Sequence, residues 1–466
     1  MTHPPQQPPP SAPQHRPRPG AAQHPSGAPQ FQSSPQYVDY GLPRLYDTSV
    51  RPAGPLTAAR FAPAPVQAPP QAQPQSAWAT QTRRVQQLQG KGDQYVPVSR
   101  VLAWILVALL GMALLVVLAF FFFLYAISTT SSPLWWLGYV IIAGFSLVVI
   151  AGVIFLADRW DPQPIPLLLS AVLWGAAIAV AISFVVNTLV GEIAYAVSGS
   201  EVVSSFVGAV ISAPLTEETS KGLGLVVLFL IARRYFNGPL DGLLYGALIG
   251  GGFAFTENIL YYGRALDGGG IGGLAVLGVI RGVIGIFGHA IYTSLTGVIM
   301  GLVARKWGTL PGALVFLVAT WPGIALHALW NGSSFLFPSL WGLILMLIIE
   351  MCLSAVWLGL IGLLVWDESR LTRVRLGDYA NRGWLTHEEV TMLATWKGRR
   401  EGKQWARQIG ALPTMKRFIR ESADLASVRQ RLMADGANPK VVRHEQQLLT
   451  RLTANRQALV SASGGA

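Results

Sequence analysis

The chain is poor in cysteine and in charge. Cys352 is its only cysteine among 466 residues, so an intramolecular disulfide and a metal site built from several cysteines are both excluded. Only 12% of the residues are charged, against about a quarter in a typical soluble domain, whereas 52% are hydrophobic. This balance indicates a membrane protein rather than a soluble one.

The net charge of +12 is unevenly distributed along the chain. Residues 101–366 hold 8 Lys/Arg and 10 Asp/Glu, a net charge of −2, so the positive excess belongs to the two ends. Basic segments that flank a membrane core suit an anionic lipid surface. The expected partner of these segments is the lipid bilayer, and no nucleic-acid partner is expected.

Composition divides the chain into three regions. Residues 1–99 are rich in Pro, Gln, Ala and Ser, and such a segment buries too little apolar surface to fold, which predicts a disordered tail. Residues 100–366 are predicted to form a transmembrane core. Residues 367–466 are polar, with apolar positions at helical spacing, which predicts a basic helical tail.

The core divides at the length of a membrane-crossing helix, which is about 20 residues. The predicted fold class is an all-α polytopic transmembrane bundle of about eight spans. These are 101–125, 134–157, 165–189, 202–232, 241–262, 274–303, 310–332 and 339–366. Arginine and lysine in the short loops fall on one side of such a bundle, so both termini are predicted to be cytoplasmic.

Ionisable side chains of the core gather in four successive predicted spans. They are Glu217, Glu218, Lys221, Glu257, His289 and His327. A charge at mid-bilayer costs roughly 2.5–3.5 kcal/mol, so these residues should face the bundle interior and one another. In three of the spans a polar pair lies four residues apart, on one helix face: Glu217 with Lys221, His289 with Thr293, and His327 with Asn331.

These motifs resemble those of a known family. The order Glu217-Glu218-x-x-Lys221, then Phe253-x-x-x-Glu257, then histidines in later spans is similar to that of the PrsW intramembrane metalloproteases. It is more distantly similar to the CAAX prenyl endopeptidase and abortive-infection superfamily, which shares the paired glutamates and an H-x-x-x-N motif but has histidine in place of Glu257. The resemblance implies a bacterial plasma-membrane protease that cleaves membrane-anchored proteins, of which anti-sigma factors are the known type.

The chemistry of peptide hydrolysis accounts for the presence of these residue types. The reaction requires an activated water, a base and stabilisation of the oxyanion. Two imidazoles and one carboxylate form a three-ligand zinc site with a position open for water. We therefore expect Glu257, His289 and His327 to be the zinc ligands.

The remaining polar residues have expected catalytic roles. Glu217 is the expected general base, and Glu218 either shares the metal or orients the water. Asn331 is expected to donate to the oxyanion, and Lys221 to offset the surplus carboxylate charge. A metal-independent mechanism, in which a histidine polarises the water for a glutamate base, stays open.

Other interpretations of the same residues differ in function class. A buried polar cluster also serves as a proton relay or ion site in transporters, although the polar motifs show no internal repeat. A non-catalytic scaffold that binds a transmembrane helix is a third possibility. At the level of single pairs, Glu217 with Lys221 could be a structural salt bridge, and His327 with Asn331 an interhelical clamp.

Overall fold

The computed structural model describes residues 98–128, 134–436 and 438–464. The regular structure within these ranges is entirely helical, which confirms the predicted all-α fold class. The predicted disordered region, 1–99, lies outside the described residues apart from its last two positions, which begin the first helix.

The core contains twelve helices within the described ranges, three of which continue into short π-helical segments. The helices are α1 (Val98–Ser128), α2 (Leu134–Ala157), α3 (Ile165–Leu173), α4 (Val180–Ser198), α5 (Glu201–Phe206), α6 (Ala213–Ile231), α7 (Pro239–Val279), α8 (Gly288–Trp307), α9 (Thr309–Leu314), α10 (Phe316–Ala319), α11 (Trp321–Leu336) and α12 (Leu340–Ala380). The π segments are π1 (Trp174–Ala179), π2 (Val207–Ser212) and π3 (Ile280–Ile284).

Six helical segments of the described chain are long and apolar enough to cross a membrane, so this is a multi-pass membrane protein. One of the six, Pro239–Trp307, contains both the fifth and the sixth predicted spans. The predicted fourth span, 202–232, is helical but is not among the six, because α6 holds three charged residues. These two segments account for the difference between six and the eight spans predicted.

Residues 239–307 form a helical hairpin whose two arms lie side by side. The chain turns at Gly270, where φ is 60°, a left-handed conformation that glycine adopts without strain. The arms then approach through small residues. A Cβ added at Gly242 would lie 1.9 Å from the carbonyl oxygen of Gly297, and one added at Gly250 would lie 2.1 Å from that of His289. Glycine therefore permits the backbones of α7 and α8 to touch, as in other close helix pairs of membranes.

Helix α12 carries the chain out of the bundle without a break, from Leu340 to Ala380. Four helices follow it: α13 (His387–Leu393), α14 (Trp396–Gln408), α15 (Leu412–Asp435) and α16 (Pro439–Gly464). They pack around fully buried apolar side chains such as Phe418 and Leu425. The helical prediction for the C-terminal tail is thus confirmed.

The C-terminal helices contact the loops at one end of the membrane core. Arg399 Nη1 donates to the carbonyl oxygen of Trp160 at 2.6 Å, and Gln430 Nε2 donates to that of Arg305 at 2.8 Å. The loop after α2 and the last turn of α8 therefore lie on the same side of the bundle as the tail, in agreement with the distribution of basic residues. We call this side the tail end of the bundle.

Candidate active site

Three core helices carry the polar cluster far from the tail end. Glu217 lies 14 residues before the end of α6, Glu257 lies 18 residues after the start of α7, and His289 lies 18 residues before the end of α8. At 1.5 Å per residue these separations correspond to about 21–27 Å. The fourth helix, α11, supplies His327, which is buried.

Glu218 is the most extensively bonded carboxylate of the cluster. Its Oε1 accepts a hydrogen bond from Lys221 Nζ at 2.7 Å and lies 3.1 Å from His327 Nδ1. Its Oε2 accepts a hydrogen bond from Thr293 Oγ1 at 2.9 Å. Since the residue is only 1% exposed, these three contacts compensate its buried charge and hold it in one orientation.

Glu257 lies behind the ring of His289. It is paired with Arg281, and it lies 2.9 Å from His289 Nε2. Arg281 is itself held, because its Nε donates to Asn258 Oδ1 at 2.6 Å and its guanidinium lies 4.1 Å from the centre of the Tyr261 ring. A carboxylate that accepts from one histidine nitrogen orients the ring and presents the other nitrogen to a ligand.

In each histidine, one ring nitrogen thus lies within hydrogen-bond distance of a carboxylate, and the other is turned toward the centre of the cluster. For His289 the second nitrogen is Nδ1, which lies 3.0 Å from Lys221 Nζ. For His327 it is Nε2, which lies 3.8 Å from Glu217 Oε2. The two rings stand nearly perpendicular, with their centres 5.0 Å apart.

Glu217 is the carboxylate with the fewest contacts. Its Oε2 lies 3.5 Å from Lys221 Nζ, and within the described residues no hydrogen bond reaches its Oε1. Among these residues, Glu217, His289 and His327 form the one group whose donor atoms all lie within 4.8 Å of one another, as shared metal ligands must. The ligand set expected from the sequence has Glu257 in place of Glu217. In the structure Glu257 is not in this group, because its carboxylate is bound to Arg281 and His289.

The donor set and the charge of the cluster both fit a divalent metal ion. Two imidazoles and one carboxylate are zinc ligands of the ordinary kind. Three carboxylates stand against the two cations Lys221 and Arg281, so one negative charge is left over when both histidines are neutral. Uncompensated buried charge is costly, and a cation held by Glu217 would offset it.

Asn331 lies apart from the hydrogen-bond network of the cluster. Its Nδ2 donates to the carbonyl oxygen of Ala209 in π2 at 2.8 Å, so the amide ties α11 to the segment that precedes α6. This contact positions the helices that carry His327 and Glu217. It does not by itself place an amide beside the reacting carbonyl, as the sequence-based role requires.

Several side chains of the cluster are outside the sequence-based set. Thr293 and Arg281 bind Glu218 and Glu257, and Tyr292 stacks on His327 with ring centres 5.3 Å apart. Thr293 carries a sequence signal, since it lies one helical turn after His289, and Arg281 is a charge within a predicted span. Tyr292 has no comparable signal, because a tyrosine in an apolar helix is ordinarily a packing residue.

A small polar cavity adjoins the cluster. Its volume is about 20 Å³, and its lining includes Arg281, His289, Tyr292 and Glu350. A cavity of this size admits about one water molecule where polar partners are present. Glu350 supplies such a partner, since its buried Oε1 has no hydrogen-bond donor among the described residues.

The π segments of the bundle adjoin the cluster. Segment π2 ends immediately before α6, and π3 contains Arg281 and leads into α8. Segment π1 accepts a hydrogen bond from Thr256 Oγ1 at its Ala176 carbonyl, at 2.8 Å. Each π segment shifts the side chains that follow it around the helix axis, and such bulges are frequent at functional sites.

Comparison with known proteins finds a family that is similar to the region around this site. Residues 163–358 match the family described as PrsW family intramembrane metalloprotease. A protein named Protease PrsW from Geobacillus kaustophilus is 28% identical over 154 residues, and one of the same name from Bacillus subtilis is 29% identical over 152 residues. Each alignment covers 33% of this chain and 61% of the relative, so the chain spans about three fifths of the length of the curated relatives it matches. No solved structure matches the chain.

The matched region and the polar cluster coincide. All six ionisable residues of the cluster lie within 163–358, together with Arg281 and Thr293. The motifs that suggested the resemblance are therefore the part of the chain that the comparison covers and that the fold brings together. The region that carries the cluster is therefore similar to the PrsW intramembrane metalloproteases.

Proposed function

We propose that this protein is an intramembrane peptidase that hydrolyses a peptide bond of a membrane-anchored protein. The observation that supports the proposal most directly is the convergence of Glu217, His289 and His327 in a buried cluster. A carboxylate with spare bonding capacity beside two oriented imidazoles is an arrangement suited to activating water. Both named relatives are proteases.

Glu217, His289 Nδ1 and His327 Nε2 would hold a metal ion, most simply zinc. When bound, zinc supplies a Lewis acid that lowers the pKa of a coordinated water and polarises a carbonyl. Glu257 and Glu218 stand behind the two histidines and hold each ring with one nitrogen toward the ion. An ion at His289 Nδ1 requires Lys221 Nζ to leave that nitrogen, and Glu218 Oε1 remains available to the ammonium group.

Glu217 accepts the proton of the attacking water in this proposal. One of its oxygens lies toward His327, and the other is unoccupied by the described residues and can receive the proton. Lys221 lies 3.8 Å from the centre of the Phe253 ring and reaches both glutamates. Its positive charge offsets the repulsion between the carboxylates of Glu217 and Glu218. It does not occupy Glu217 Oε1, which is left free to accept the proton.

The depth of the cluster bears on where the substrate is cut. The cluster lies about 21–27 Å along its helices from the tail end, in a hydrocarbon layer of about 30 Å. With the tail in the cytoplasm, as the basic loops predict, the site lies in the outer half of a bacterial plasma membrane. We therefore propose that the scissile bond lies near the outer end of the substrate's transmembrane segment.

The metal assignment is tested by the zinc content of the detergent-purified protein. We expect near-stoichiometric zinc in the wild type, and loss of zinc in His289→Ala, His327→Ala and Glu217→Ala. Glu257→Gln should keep a weaker zinc site, since removal of an orienting partner typically lowers affinity by about 10–100-fold. Zinc lost in Glu257→Gln and kept in Glu217→Ala would instead favour the ligand set expected from the sequence.

The peptidase assignment is tested independently of the metal. Membranes of a bacterial host that expresses the wild type should contain new protein termini near the ends of apolar segments, detected by mass spectrometry of labelled N-termini. The same termini should be missing with Glu217→Gln. A folded wild type that produces none of them would overturn the peptidase proposal, whereas cleavage by a zinc-free protein would overturn only the metal assignment.

A further inference from the structure

A basic pocket lies on α14, in the part of the C-terminal tail that faces the membrane core. It is an open cavity of about 230 Å³, lined by Trp396, Arg399, Arg400, Lys403, Gln404 and Arg407. Four of these six residues are cations, and no carboxylate is among them. We call this cavity the α14 pocket.

Arg399 forms the floor of the α14 pocket and is built into the fold. Only 3% of the residue is exposed. Its Nε donates to the carbonyl oxygen of Leu393 at 2.7 Å and its Nη1 to that of Trp160 at 2.6 Å, and the guanidinium lies 3.5 Å from the centre of the Trp160 ring. Its Nη2 is buried and has no hydrogen-bond acceptor among the described residues. A buried donor without an acceptor is costly, and an anion held close to this guanidinium would offset part of that cost.

The other cations of the pocket gather around Arg399 without compensation from the lining. The pKa of Lys403 is lowered, first by burial and then by the positive charges of Arg399 and Lys416. Asp161 and Glu368 act electrostatically on Arg399, but neither lines the pocket. An anion in the pocket would relieve the repulsion among its cations.

The α14 pocket stands next to the membrane. Helix α2, a candidate span, ends at Ala157, and Trp160 follows three residues later. Even a fully extended chain spans only about 10 Å over three residues, so Trp160 lies near the headgroup layer. Trp396 packs its ring edge-on against Trp160, with centres 5.1 Å apart, and is 43% exposed. Tryptophan at this depth is typical of the membrane interface.

We propose that the α14 pocket binds the phosphate headgroup of an anionic phospholipid from the leaflet at the tail end. The phosphate oxygens accept from the exposed cations Arg400 and Arg407 and from the half-buried Lys403, the buried charge of Arg399 attracts the phosphate from below, and Trp396 lies among the lipid glycerol groups. Such a contact fixes the C-terminal tail on the membrane surface beside the protease core.

The test is the binding of phosphatidylglycerol to the full-length protein in neutral detergent, titrated and counted by native mass spectrometry. The test variant is Arg400→Gln/Lys403→Gln/Arg407→Gln. The matched control is Arg417→Gln/Lys440→Gln/Arg443→Gln, which removes the same charge from exposed positions of α15 and α16.

We expect phosphatidylglycerol to bind the wild type at least 10-fold more tightly than phosphatidylcholine, and the test variant to lose at least 10-fold in affinity. The control variant should remain within about 2-fold of the wild type, and Arg400→Lys/Arg407→Lys should retain binding. Equal losses in the test and control variants would show a nonspecific charge effect and overturn the proposal. So would equal affinity for the two lipids, or competition by millimolar inorganic phosphate that matches binding by the lipid.

Discussion

Replacement of Gly250 by alanine should slow cleavage by moving the backbone of α8 away from α7, without altering any polar side chain of the site. A Cβ at Gly250 would lie 2.1 Å from the carbonyl oxygen of His289, whereas real Cβ contacts essentially never fall below 3.0 Å. The arms of the hairpin must therefore separate by about 0.9 Å at the turn of α8 that carries His289. A misplacement of about 1 Å can cost about 100-fold in rate, equivalent to about 2.7 kcal/mol of transition-state stabilisation.

The neighbouring Gly251 provides a matched control in the same helix. A Cβ there would lie 3.2 Å from Cδ1 and Cγ2 of the Ile150 side chain, which can adjust, rather than against a backbone atom. Both substitutions gain the same helix propensity, about 0.8–1.0 kcal/mol, so this contribution cancels in the comparison. We expect Gly251→Ala to cleave within about 3-fold of the wild type.

The assay is the initial rate at which a diagnostic new terminus appears in membranes, normalised to the amount of folded protein. Zinc content and the temperature of thermal unfolding, measured in detergent, accompany each rate. A folded Gly250→Ala protein that cleaves as fast as Gly251→Ala would refute the inference that glycine contact between α7 and α8 positions His289.

Three further predictions concern single side chains. Lys221→Met should bind zinc at least 10-fold more tightly in a chelator competition, because it frees a histidine nitrogen and removes a positive charge; unchanged or weaker binding would contradict the metal proposal. Thr293→Val should slow cleavage about 10-fold with zinc content unchanged, since a hydrogen bond to a charged group contributes roughly 1.5–3 kcal/mol. An unchanged cleavage rate would show that Glu218 does not need the hydrogen bond from Thr293. Burial and three nearby arginines lower the pKa of His444 to about 3, so the folded tail leaves it neutral while the unfolded tail protonates it below pH 6.5. The tail should therefore lose stability as the pH falls from 6.5 to 4. Hydrogen exchange of α16 should show a smaller loss of stability in His444→Gln than in the wild type. Equal losses in the two proteins would assign the acid sensitivity to other groups.

The membrane class and the identity of the cluster were predictable from the chain alone. Long apolar runs must cross a membrane as helices, because lipid offers no hydrogen bonds to the backbone. Because buried charge is costly, Glu217, Glu218, Lys221 and the two histidines are expected to contact one another. The number of spans was harder to predict. The sequence places the two arms of the α7–α8 hairpin in separate spans and counts the charged helix α6 as a span, whereas only five other helical segments of the described chain besides the hairpin are long and apolar enough to cross a membrane.

The pairing within the cluster depended on tertiary structure. Glu217 and Glu257 are the same residue type in adjacent helices, and nothing in their spacing says which one lies open to both histidines. That choice follows from Arg281, which returns along the hairpin to bind Glu257, and from Thr293, which binds Glu218 instead of Glu217. The α14 pocket likewise depends on a contact between residues more than two hundred positions apart, Arg399 and Trp160. Local sequence determines which residues are helical and apolar, whereas long-range packing determines which polar atoms are left without a partner.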